Sequence, residues 1–245
     1  MPAVGFSPDG RTVAAASYLQ SRISLYEVAT GKERASLAIE LRSYPMMLAF
    51  SPDGRFLATH SNNSVRLWRL PVVRDSGQPR SVANLWDDLA SADAGAAYQA
   101  LGQFVWARKQ ALTLFQDKLR PVSVPPVDAM TAALRDLGSR NYPVRREATR
   151  LLEKFGEGAG PFLRKALRDS HTLEVRRRIE IILGKFADGS PQCLRHQRAI
   201  EVLETIGDNA ACRFLEKLAA GAPESRLTQE ARTALERLAT RVKGP

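Results

Sequence analysis

Two rhythms of apolar and polar residues divide the chain near residue 85. Before that point apolar residues alternate with others in short runs: Thr12-Val13-Ala14-Ala15-Ala16, Ile23-Ser24-Leu25-Tyr26-Glu27, Arg34 to Ile39, Phe56-Leu57-Ala58-Thr59 and Val65-Arg66-Leu67-Trp68-Arg69. A period of two is that of half-buried strands. Beyond Leu85 the period becomes 3.6. Val144, Ala148, Leu151, Leu152 and Phe155 form one helical stripe, and Val175, Ile179, Ile182, Leu183 and Phe186 repeat its spacing 31 residues later. Leu227, Ala231, Ala234, Leu235 and Leu238 repeat it again. Shorter helices are expected around Phe162-Leu163-Ala166-Leu167 and Phe214-Leu215-Leu218, and residues 85–120 read as helices through Tyr98, Leu101, Val105, Ala111, Phe115 and Leu119.

The punctuation between these runs is itself repeated. Phe6-Ser7-Pro8-Asp9-Gly10 returns 44 residues later as Phe50-Ser51-Pro52-Asp53-Gly54, each copy between two apolar runs. Pro fixes φ, Asp can bond back to the backbone and Gly accepts positive φ, so Ser-Pro-Asp-Gly predicts a tight turn. Thr30-Gly31-Lys32 predicts a second turn, before a fourth strand in the first copy. The first unit therefore has four strands and the second three. A repeat of roughly 40–45 residues in a strand-rich segment is the mark of a propeller blade.

In the helical part, Ala148–Gly156 lines up with Ala199–Gly207. Each ends in Gly, which suits a helix C-terminus, and each is followed by an acidic residue, Glu157 or Asp208. Pro143, Ser170, Thr172 and Asp93 stand where helix starts are expected. One helix pair cannot bury its stripe alone, so the pairs are expected to stack around one elongated core. Pro71 to about Ala83 lacks either period and reads as a linker. The expected division is blades over 1–70, a linker over 71–84, a helical docking segment over 85–127 and helical repeats over 128–245. Trp86 and Trp106 are candidate anchors of the docking segment, with plain core packing as the alternative.

The FSPDGR run, the ATGKE turn and VRLW resemble the WD40 repeat family, and the helix pairs resemble HEAT-type repeats. The first resemblance implies radially arranged four-stranded blades that offer a platform to protein partners. Phe6, Asp9, Gly10, Tyr26, Phe50, Asp53, Gly54 and Trp68 hold the matching blade positions. The chain departs from the family where Tyr26-Glu27 and Trp68-Arg69 replace Trp-Asp, where Ser43-Tyr44-Pro45 replaces Gly-His, and where Asn62-Asn63 replaces an aspartate. The family's buried His–Ser–Asp–Trp network is thus incomplete, and Trp68 is expected to serve as packing. Two blades do not close a propeller, so the chain is expected to be the C-terminal piece of a longer WD40 protein. Alternatively, another chain supplies the missing blades.

Composition narrows the function. The net charge is +10, with 10 Lys/Arg against 6 Asp/Glu in residues 1–85 and 26 against 20 beyond, so no basic tail carries it. No apolar run approaches the ~18–20 residues of a membrane span, and no membrane role is expected. Met1-Pro2-Ala3-Val4-Gly5 has no secretory pattern, which makes the cytoplasm the expected compartment. Cys193 and Cys212 are expected to be small core residues. His60, His171 and His196 are scattered; His60 reads as a core or rim residue, and no catalytic residue, cofactor or metal is expected. Arg145, Arg146, Arg176 and Arg177 open equivalent helices, with Arg146 and Arg177 expected side by side on the outer face. They are the candidate partner-binding residues, although i+3 and i+4 pairs such as Glu174–Arg178 and Glu147–Arg150 can neutralise such a face. A non-enzymatic protein–protein scaffold is the leading expectation. A nucleic-acid-binding module that uses the basic helical face is the alternative.

Overall fold

The structure is a computed structural model that describes residues 3–17, 21–39, 47–61, 64–71, 80–169 and 172–243. Ser43-Tyr44-Pro45, Asn62-Asn63, Ser170, His171 and most of the expected linker lie outside the described residues. The chain runs from two antiparallel sheets into a helical region.

The first sheet is a meander of β1 (Val4–Phe6), β2 (Thr12–Ser17), β3 (Arg22–Glu27) and β4 (Glu33–Ala38). Among the described residues the second holds β5 (Met47–Phe50), β6 (Phe56–Ser61) and β7 (Ser64–Arg69), three strands as expected. The two Ser-Pro-Asp-Gly turns are the same object twice. Ser7 N–H bonds Thr12 O at 2.9 Å, and Ser51 N–H bonds Phe56 O at 2.9 Å. Asp9 accepts from Arg11 N, and Asp53 from Arg55 N, both at 3.0 Å. Gly10 and Gly54 sit at φ +71 and +70, a region that other residues enter only with strain.

Alternation assigns each strand residue to a face. One face of the first sheet carries Ala14, Ile23, Leu25 and Leu37, all buried, and Leu48, Phe50, Leu57 and Trp68 of the second sheet pack against it. Trp68 also donates Nε1–H to Thr59 Oγ1 at 3.2 Å, so it retains one polar tie besides its packing.

The helical region comprises α1 (Val82–Asp88), α2 (Ala94–Trp106), α3 (Arg108–Lys118), α4 (Val127–Leu137), α5 (Tyr142–Phe155), α6 (Gly160–Asp169), α7 (Leu173–Gly184), α8 (Pro191–Ile206), α9 (Asn209–Ala219) and α10 (Arg226–Lys243). Helix α1 begins inside the segment read as linker, because Ser81 caps it by accepting from Asn84 N–H. Asp93 caps α2 through Gly95 and Ala96 N–H. Gly156 and Gly207 end α5 and α8 at φ +59 and +58. Each apolar stripe lies on one helix, although Phe186 falls just beyond the end of α7.

The single elongated core does not form. Helices α1, α2, α3, α8, α9 and α10 share one core around Leu89, Phe104, Phe115, Leu203 and Leu215. Helices α4 to α7 enclose a second, around Met130, Leu137, Leu152, Leu163, Ile179 and Ile182. The division arises because α8 spends its apolar surface on α2, α9 and α10. Residues 119–126, outside any helix or strand, form a strap that passes beside Gly158 and Gly221. Gly158 and Gly221 make room for that strap: a Cβ on Gly158 would stand 2.4 Å from Ser123 O, and one on Gly221 2.9 Å from Val122 N.

Candidate functional site

The sheets meet the helices along a line of buried charge. The first Ser-Pro-Asp-Gly turn projects Arg11 onto α8 and α10, where its guanidinium donates to Glu204 Oε2 at 2.7 Å and Glu230 Oε2 at 3.0 Å. Glu204, 2% exposed, also receives two bonds from Arg237 at 2.9 and 2.7 Å and one from Arg241 at 3.1 Å. From β4, Arg34 reaches Glu201 Oε1 at 3.0 Å and Thr12 Oγ1 at 2.9 Å, with its guanidinium 4.4 Å from the centre of the Tyr98 ring.

Arg198 of α8 completes the line. Its Nε and Nη2 clasp both oxygens of Glu27 at 2.8 and 2.7 Å, and its Nη1 bonds Leu89 O and Ser91 O at 2.8 Å. Arg11, Arg34, Arg198, Arg237 and Arg241 thus face Asp9, Glu27, Glu201, Glu204 and Glu230, and the seam is close to neutral. Buried charges persist only when paired in this way.

The surroundings tune the carboxylates in different directions. Burial works to raise the Glu27 carboxyl, but the Arg198 bonds outweigh it and hold the group below its ordinary range. Asp9 is likewise pulled down by Arg11 and Ser7 against its burial. Burial, reinforced by Asp9, pushes Glu201 up despite Arg34 and Arg11. Arg11 and Arg34 are desolvated, yet the carboxylates around them strengthen their hold on the proton.

Above this seam opens a cleft of about 450 Å³ between the Asp9–Arg11 turn, the Glu27–Ala29 turn, α8 and α10. Its charged walls are largely spent on one another. Arg226, at the far wall, pairs with Asp188 and donates to Cys193 Sγ at 2.9 Å. Among the described residues no three His, Cys, Asp or Glu side chains converge to hold a metal ion. Cys193 is buried as expected, whereas Cys212 is only half-buried. His60 is exposed on the second sheet, and His196 Nδ1 lies 3.8 Å from Glu157.

The arginines singled out from sequence have mixed fates. Arg145 is partly buried and donates to the carbonyls of Ser139 and Arg140, both at 2.8 Å, which relieves its position near the start of α5. Arg176 is half-buried. Arg146 and Arg177 are exposed on α5 and α7, helices that touch one another, and neither forms an ion pair among the described residues. The expected Glu174–Arg178 and Glu147–Arg150 pairs are both present. The blade residues divide too: Asp9, Gly10, Asp53 and Gly54 build the turns, Phe50 and Trp68 pack between the sheets, Tyr26 is half-buried, and Phe6 is 66% exposed. Trp86 packs on Phe115 in the helical core. Trp106 is 69% exposed, with the Arg69 guanidinium 5.6 Å from its ring.

Asp9 is a blade position by sequence, but the other seam residues escaped sequence reasoning. One signal was present: Arg198, Glu201 and Glu204 recur at i, i+3 and i+6 among Ala199, Ile200, Val202, Leu203 and Ile206, which are apolar and buried. A charged row set among buried apolar positions demands buried partners.

Fold and site define a two-part β-then-α protein whose halves are joined by a paired, largely buried charge seam. No protein-family model matches the chain, and no curated protein matches it. Among the described residues no helix is long and apolar enough to cross a membrane.

Proposed function

We propose that this chain is a non-enzymatic scaffold for protein partners, its sheets being WD40-type blades and its helix pairs HEAT-like repeats. One observation supports this above others: large apolar side chains stand exposed on the two outward faces of the sheet pair, one set on each sheet. Val4, Phe6, Met47, Val65 and Leu67 are each 57–68% exposed. Exposed apolar faces of that kind mark contact surfaces. The charged groups of the cleft above the seam, by contrast, are mostly engaged in joining the sheets to the helices. The two free cysteines suit the reducing cytoplasm, where we place the protein. A photo-crosslinking amino acid at position 67, compared with one at the exposed position 177, tests the reading in cells. Protein adducts at position 67 are expected; no protein adduct at either position would overturn it.

The alternative is a nucleic-acid-binding module. It is favoured by the exposure of Arg146 and Arg177 on touching helices, with no ion pair to satisfy either among the described residues. Duplex binding that falls steeply with salt and disappears in Arg146→Glu/Arg177→Glu would establish it, and absence of binding at low salt would eliminate it.

A further inference from the structure

The repeat makes the two sheets comparable position by position. An offset of 44 residues sets Met47 on Ala3, Ala49 on Gly5 and Ala58 on Ala14; in the third strand an offset of 42 sets Val65 on Ile23 and Leu67 on Leu25. In the first sheet this face is closed, with Ala14, Ile23 and Leu25 all 0% exposed. In the second sheet the same face is open, with Met47, Val65 and Leu67 at 66–68%.

What closes the face in the first sheet is the opposite face of the second: Leu48, Phe50, Leu57 and Trp68. The approach is close, since a Cβ on Gly5 would lie 3.4 Å from Leu48 O. By the same offsets those four residues correspond to Val4, Phe6, Val13 and Tyr26. That face of the first sheet is open along β1, with Val4 57% and Phe6 66% exposed, while Val13 and Tyr26 beside them are half-buried. The chain therefore presents a vacant socket on one sheet and a vacant plug on the other, and the contact already joining its two sheets is the template for bringing them together.

We infer that the occupant of the open face is a second copy of this chain. The Val4/Phe6/Val13/Tyr26 face of one copy docks on the Met47/Val65/Leu67 face of the next, extending the existing sheet–sheet contact from one molecule to another. Such an interface is heterologous, and repeated addition gives a ring if the rotation closes or a chain of copies if it does not. The inference rests on the scaffold reading and names one of its partners.

Sedimentation velocity on the full chain across a wide concentration range is the test. The unaltered protein is expected to gain mass with concentration. Phe6→Glu and Leu67→Glu each place a charge in the interface and should weaken association by about tenfold or more. A mixture of the two variants keeps one intact plug and one intact socket, and should therefore form a heterodimer and nothing larger. Both residues are exposed, so unchanged far-UV circular dichroism is expected, and Val65→Lys must reproduce Leu67→Glu. A monomer at every concentration overturns the inference. So does association that survives in Phe6→Glu alone, which would mean like face against like face. A monomer that still forms protein adducts at position 67 leaves the scaffold reading standing while this one falls.

Discussion

Truncating Arg198 to alanine removes a side chain that ties α8, the segment after α1 and the end of β3 together. It is 1% exposed and makes four hydrogen bonds of 2.7–2.8 Å, two of them to Glu27. Breaking one partner out of a buried pair costs about 3–5 kcal/mol, because the other charge is left uncompensated. Two local facts favour the lower end. Glu27 keeps a bond from Thr30 Oγ1 at 2.7 Å, and the vacated site borders the 450 Å³ cleft, through which water can reach it. We therefore expect a loss of ~3 kcal/mol, a large share of the 5–15 kcal/mol that holds an ordinary domain folded. Glu27→Ala should cost a similar amount, and the double variant much less than the sum, since it strands no charge. Urea unfolding followed by far-UV circular dichroism gives the cycle. A coupling of about 2 kcal/mol or more is expected; a value within the ~0.2–1 kcal/mol of a solvated pair would refute the claim that this bridge is buried and structural.

The carboxylates of the seam should make stability pH-dependent in a set direction. Asp9 and Glu27 titrate in the fold below their ordinary values of 3.8 and 4.5, so the stability they contribute is present above those values and lost as pH falls through the folded ones. Glu201, raised in the fold, acts in the opposite sense. The urea midpoint should fall in acid, and Glu27→Gln should flatten that fall. Phe115→Ala and Leu152→Ala delete fully buried groups from different cores and should cost ~3–5 and ~2–5 kcal/mol. Their effects should add to within about 0.5 kcal/mol in the double variant; a larger coupling would contradict the division into two cores. Gly158→Ala drives a Cβ to 2.4 Å from a backbone carbonyl and should destabilise by ~1–3 kcal/mol. Gly184→Ala, at the end of α7 with open space around it, should stabilise by roughly 0.4–1 kcal/mol; thermal melts of both variants check the pair.

Local chemistry is what the sequence made legible. The turns were readable because Pro, Asp and Gly each act within four residues, and both copies place Gly at the positive φ the turn requires. The caps at Asp93 and Gly207 were readable for the same reason. Alternation gave the strands, four in the first sheet and three among the described residues of the second, and the 3.6 period gave the buried side of each helix. It could not give the helix that covers that side. The stripe of α8 is met by α2, nearly a hundred residues earlier, rather than by the preceding pair. One expected stack therefore became two cores.

The seam lay beyond sequence reasoning for a related physical reason. Arginine and glutamate read as solvated residues unless their partners are near in the chain, and Arg11 is 193 residues from Glu204 while Arg198 is 171 from Glu27. The repeat sharpens the point. Arg11 and Arg55 occupy the same place in identical Ser-Pro-Asp-Gly-Arg runs, yet Arg11 is 15% exposed in the seam and Arg55 is 55% exposed beside Asp53. An identical motif yields a buried docking residue in one copy, where Arg11 reaches Glu204 and Glu230, and a solvated one in the other, where Arg55 stays beside Asp53. Position within the assembly, not residue identity, decides which arginine holds the molecule together.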